Sequence, residues 1–208
     1  MEIKNIEKAL AELRKDNKER KFKQTLDLII NLKKFNIKKD AVNIFVALPN
    51  KTKDKKICGF FEVKNSKTPT IIKSEFAKYA DKKVVKKLGA EYEFFIAQAS
   101  VMPAVATTFG RILGPLGKMP SPQLGILMDV NDKTIAEVVD RINSSVKVRT
   151  KEPSIKIPVG KEDMKDHEIA ENIQTVYNAV EKALSRGKDN VKNIQIKFTM
   201  TKPVKIIF

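Results

Sequence analysis

Three short stretches hold residue types that could do chemistry. Residues 110–125 read Gly-Arg-Ile-Leu-Gly-Pro-Leu-Gly-Lys-Met-Pro-Ser-Pro-Gln-Leu-Gly and contain four of the chain's eight glycines and three of its nine prolines. That density argues against a helix or a strand, so the segment reads as a shaped loop pinned by Ile112, Leu113, Leu116, Met119 and Leu124. A glycine loop can cradle phosphate, but the spacing here does not fit. A Walker-type loop would need glycine where Ile112 stands and a hydroxyl where Met119 stands, and Gly110, Gly114 and Gly117 miss the dinucleotide spacing. The second stretch is Lys21-Phe22-Lys23-x-Thr25. Lysine neutralises phosphate, the ring offers a stacking face, and the threonine can bond a 2′-hydroxyl. The same residues would also suit a ring that staples a helix end to a sheet among solvated lysines. The third is Thr199-Met200-Thr201-Lys202-Pro203, a hydroxyl–thioether–hydroxyl run that could lie flat on a shallow groove or simply form a turn.

Composition narrows the chemistry. Cys58 is the only cysteine and His167 the only histidine in 208 residues, so neither a disulfide nor a Cys/His metal cluster is expected, and no cofactor is implied. No pair of carboxylates is marked out for acid–base work, which argues against an enzyme. The net charge of +16 comes mainly from lysine. Lysine is a point charge suited to phosphates, so a polyanionic partner is expected. No apolar run reaches the ~20 residues that span a bilayer, and the charged N-terminus does not read as a secretory signal, so a cytoplasmic location is expected.

These stretches need elements to hold them. Ile3, Ile6, Leu10 and Leu13 recur at helical spacing, and the helix should stop near Asp16-Asn17-Lys18. Strands are expected at 25–32 and 42–48, with a charged turn after Pro49. A second unit starts at Ile57 with a strand to Val63 and a short one at 70–72. A single helix follows, capped by Ser74, carrying Phe76 to Leu88 and closed by Gly89. Next come a strand at 91–97, a short helix from Pro103 to Thr108, the glycine loop, a helix begun by Asp132, and a strand at 146–149 returning from this unit. Ile155 and Ile157 open a strand whose alternation leaves Lys156 exposed; it ends at Gly160-Lys161. Ile169, Ile173, Val176, Val180 and Leu184 mark a long helix, and strands at 193–200 and 203–208 close the chain. Strands alternating with helices indicate an α/β fold. Neither terminal piece can bury its apolar faces alone, so the two should combine.

The spacing Gly110-Arg111-x-Leu113-Gly114-Pro115-x-Gly117-x-Met119-Pro120-x-Pro122 resembles the signature of the first large-subunit ribosomal protein, the L-one family. Leu116 stands where bacterial members carry arginine, which points to an archaeal type. The resemblance implies an α/β (α+β) protein of two domains. A discontinuous two-layer α/β domain from residues 1–56 and 153–208 would bind RNA, and a Rossmann-like three-layer domain at 57–152 would be inserted into it. It assigns RNA contact to Lys21, Phe22, Thr25, Lys156, Gly160, Lys161, Thr199, Met200 and Thr201; at Thr201 the family usually carries glycine. The implied partners are large-subunit rRNA, exit-site tRNA, for which Arg111 and Lys118 are the candidate contacts, and the protein's own mRNA, whose translation it would repress. The implied state is a monomer off the ribosome and a mobile stalk on it. Two other readings stay open: an enzyme acting on a phosphorylated substrate at the glycine loop, and a non-specific basic RNA chaperone.

Overall fold

A computed structural model of the chain describes residues 3–15, 20–37, 40–65, 68–79, 81–150 and 152–206. In chain order the elements are α1 (Ile3–Lys15), β1 (Thr25–Leu32), β2 (Asn43–Ala47), β3 (Ile57–Phe61), β4 (Thr70–Ile72), α2 (Lys82–Glu91), β5 (Phe94–Gln98) and α3 (Met102–Leu116). They continue with β6 (Ile126–Leu127), α4 (Asp132–Asn143), β7 (Ser145–Arg149), β8 (Ser154–Lys161), α5 (Asp166–Ala183), β9 (Val191–Phe198) and β10 (Val204–Ile206). The expected stop of α1 at 16–18 and the last two residues of the terminal strand lie outside the described residues. Two compact units result, Met1–Thr52 with Ser144–Phe208, and Lys53–Asn143.

The terminal unit is built on an antiparallel sheet of order β10-β9-β1-β8. Strict alternation along β1 buries Leu26, Leu28, Ile30 and Leu32, and β8 and β9 bury Ile155, Ile157, Ile194, Ile196 and Phe198 on the same side. Helices α1 and α5 cover that side because their apolar residues, Ile6, Leu10 and Leu13 on one and Ile169, Ile173, Val176 and Val180 on the other, recur every three or four positions. The other side keeps its polar side chains, as an antiparallel sheet allows. A two-stranded ribbon, β2 with β7, completes this unit.

The middle unit has a wholly parallel sheet of order β4-β3-β5-β6. Every residue of β3 is buried, as expected where helices cover both faces. Phe60, Phe95 and Phe109 lie in one apolar cluster with α2 and α3, while Phe61, Ile96, Ile135 and Ile142 lie in another with α4. This is the three-layer α/β arrangement.

The structure differs from sequence expectation at four places. Half of the glycine segment is helix: α3 continues through Pro115 to Leu116, and Gly117 at φ 72° ends it, donating to Gly114 O. Gly110 and Gly114 sit where an added Cβ would meet nothing within 4 Å, and Pro115 falls in the last turn, so the helix tolerates them. Only residues after Gly117 form the loop, and there Gly125 is needed: a Cβ would fall 2.9 Å from Ser121 N and 3.1 Å from Phe95 O. Second, the helix expected from Ser74 is a 3-10 run (Lys73–Tyr79) followed by α2, whose N-cap is Asp81 accepting from Lys83 N at 2.9 Å. Gly89 is inside α2, where a Cβ would come within 3.1 Å of Leu116, so it sets the approach of α3. Third, β7 pairs with β2 and therefore belongs to the terminal unit, which moves the division from 56/57 and 152/153 to 52/53 and 143/144. Fourth, β6 has two residues, too few for any periodicity to reveal.

Candidate nucleic-acid interface

One end of the terminal sheet gathers three segments that are far apart in sequence. Thr25, the first residue of β1, lies opposite Lys161, the last of β8. On its other side, Thr199 N donates to Thr25 O at 3.1 Å. The Thr199 hydroxyl also faces the Thr25 backbone, 3.2 Å from its N and 3.3 Å from its O. Thr201 closes the turn on itself: its hydroxyl accepts from Phe198 N at 3.0 Å. Lys34 is the only non-glycine residue with positive φ among the described residues, so Thr201 sits in this turn without backbone strain. Two large apolar side chains stand out at this end, Phe22 at 51% exposure and Met200 at 58%. Apolar groups left in water beside lysines form a surface suited to bases flanked by phosphates.

The remaining candidates divide. Lys21 is exposed beside Phe22. Lys156 points outward as alternation predicts, but lies five residues up β8 from Lys161, about 16 Å at strand rise, opposite Ile29. It stands 3.5 Å from Glu152, both side chains well exposed; such a pair is worth little and easily exchanged for a phosphate. Gly160 is buried, and its missing Cβ makes room for Ile169 Cγ1, which would be 3.0 Å away. Its role in this unit is to let α5 approach β8. Arg111 and Lys118 belong to the middle unit. Arg111 is exposed on α3 and lines a groove of about 500 Å³ with Lys86, Ala90, Pro115 and Leu116. Lys118 is committed elsewhere: its ammonium donates to Gly89 O at 2.7 Å and Tyr92 O at 2.9 Å, closing the end of α2. That use removes it from a phosphate cradle and weakens the enzyme reading.

The sheet face also presents residues that the motifs did not mark. Asp27, Ile29 and Asn31 alternate outward from β1, flanked by Gln195 and Lys197 on β9. Asn31 donates to Asn193 at 2.7 Å. Burial pushes the Asp27 carboxyl up from its ordinary value, against the opposing pull of Lys197. At the rim, the Lys23–Asp163 pair at 2.6 Å raises the lysine and lowers the carboxylate. The alternation of Ile194, Ile196 and Phe198 with polar residues was the signal that could have found Gln195 and Lys197.

The chain is thus a discontinuous antiparallel α/β unit with a parallel α/β unit inserted in its sequence, and one end of its antiparallel sheet offers a basic, partly apolar surface suited to a polyanion. Comparison with known proteins agrees: the model of the ribosomal protein L1p/L10e family matches residues 13–202. The large ribosomal subunit protein uL1 of Methanothermococcus thermolithotrophicus is 34% identical over 225 residues, covering 99% of both chains. That of Methanobrevibacter smithii is 35% identical, covering 96% of this chain and 97% of its own. That of Nanoarchaeum equitans is 32% identical, covering 93% and 95%. The chain belongs to the ribosomal protein L1 family and is of its archaeal type.

Proposed function

We propose that this chain is a structural constituent of the large ribosomal subunit, not an enzyme, and that it binds rRNA through the terminal unit. The observation that carries this reading is the meeting of segments 21–25, 161 and 199–201 at one end of the sheet with Phe22 and Met200 left exposed. Lys21, Lys161 and Lys156 supply phosphate contacts, Phe22 and Met200 the flat apolar contact, and Thr25, Thr199 and Thr201 fix the strand ends that present them. The middle unit faces exit-site tRNA, with Arg111 and the bare backbone at Gly110 and Gly114 allowing close approach, and the whole acts as the mobile stalk. The same end of the sheet binds a mimic of the rRNA site in the protein's own mRNA and represses its translation. This places the protein in the cytoplasm, on the ribosome.

Crosslinking in cells tests the reading directly. Large-subunit rRNA should dominate the recovered RNA, with crosslinks on 21–25 and 199–201; recovery of bulk RNA in proportion to abundance would instead indicate a non-specific chaperone. Lysine substitutions give a second expected result. Lys21→Ala and Lys156→Ala should each weaken specific and scrambled RNA alike and lower the slope of log affinity against log salt by roughly one counterion. Unchanged slopes in both variants would take these lysines off the interface.

A further inference from the structure

Gln24 is fully buried, yet it is polar and sits at this end of the sheet. Its side-chain Oε1 accepts from Met200 N at 3.0 Å. Its backbone N donates to the Glu162 carboxylate at 3.1 Å, and its backbone O accepts from Glu162 N at 2.9 Å. Glu162 is itself held from behind. Arg14, on the last turn of α1, donates to Glu162 O at 3.0 Å, Met164 O at 2.9 Å and the Asp166 carboxylate at 2.7 Å. A chain of bonds therefore runs from α1 through the β8–α5 loop and Gln24 to the tip of the β9–β10 turn.

Burying an amide costs desolvation that an apolar side chain of the same length would not incur. What the amide does is fix the direction in which Met200 leaves the sheet. A large exposed side chain held in one orientation has already given up the freedom it would otherwise lose on binding. We propose that Gln24 is a positioning residue for RNA recognition, touching no RNA itself and acting through the Met200 amide. This rests on the reading that Met200 meets RNA.

The test uses the full-length chain, a transcript of the large-subunit rRNA and a scrambled transcript of equal length. Gln24→Met keeps the side-chain length and removes the acceptor. Affinity for the rRNA should fall about tenfold, the scale of one lost hydrogen bond at a desolvated contact. Affinity for the scrambled transcript should stay within about twofold because no charge changes. Hydrogen exchange at the Met200 amide should accelerate. Combined with Met200→Ala, the Gln24 substitution should add almost nothing, as expected of two residues acting as one unit. Full rRNA affinity in Gln24→Met with a fast-exchanging Met200 amide overturns the proposal, and so do additive losses in the double variant. If Met200→Ala alone leaves discrimination intact, the interface reading itself fails. Should Gln24→Met not fold, Gln24→Glu keeps an acceptor oxygen. It should preserve the ratio of the two affinities, and a lost ratio with a protected Met200 amide overturns the positioning role.

Discussion

Removing residues 53–143 and joining Thr52 to Ser144 through a short glycine–serine linker is expected to leave a cooperatively folding protein that still binds rRNA. The ends are close enough for this, because Leu48 N donates to Ser144 O at 2.7 Å and Ala47 pairs with Ser145. All of the sheet β10-β9-β1-β8, both covering helices and the β2–β7 ribbon survive the cut. A cut at 57–152 should behave very differently. It removes β7, taking Val146 and Val148 out of the terminal core and leaving β2 without a partner. Two buried valines alone are worth roughly 3–6 kcal/mol, a large part of the 5–15 kcal/mol that typically holds a domain together. Circular dichroism, a denaturant melt and an rRNA binding curve on both deletions check this. If the 53–143 deletion folds but no longer binds rRNA, the interface is not where we place it. If the 57–152 deletion is equally stable, the ribbon does not matter to this unit.

What could be read from the sequence was whatever repeats locally. α1 and α5 declare themselves through apolar residues at steps of three and four, and β8 through Ile155 and Ile157 on either side of Lys156. Local rules misread α3 because glycine and proline frequency carries no information about position. Gly110 and Gly114 face outward, Pro115 forgoes only the single bond its N–H would make to Arg111 O because the helix ends one residue later, and the true stop is the left-handed Gly117. The partner of β7 was illegible for another reason: its sequence says strand, but pairing is decided by residues a hundred positions away. The interface shows the same division. Lys21, Phe22 and Thr25, and Thr199 with Met200, can be picked out as motifs, and family resemblance suggests RNA. That they meet is a property of sheet order β9-β1-β8. Gln24 carried no signal at all, because its partners Glu162 and Met200 lie 138 and 176 residues away.

Phe109→Ala should produce the largest single-residue effect in the middle unit. Phe109 is fully buried at the centre of a ring cluster, with centroids 4.8 Å from Phe60, 5.2 Å from Phe76 and 5.6 Å from Tyr79. It anchors α3 to β3 and to the 3-10 run Lys73–Tyr79, and so fixes the helix that presents Arg111. Truncation leaves a cavity that three rigid rings cannot collapse to fill, at a cost of about 3–5 kcal/mol. For a unit of this size that corresponds to a fall in melting temperature on the order of 15–30 °C. Phe109→Leu, which keeps most of the volume and loses the ring contacts, should cost considerably less. Because the terminal unit has its own core, rRNA affinity should remain within about twofold while any contact made by α3 is lost. A calorimetric scan separates the outcomes. A wild-type melting profile would mean that the ring cluster does not hold the middle unit together. Parallel loss of rRNA binding at a temperature where only the middle unit has opened would mean that the two units do not divide recognition as proposed.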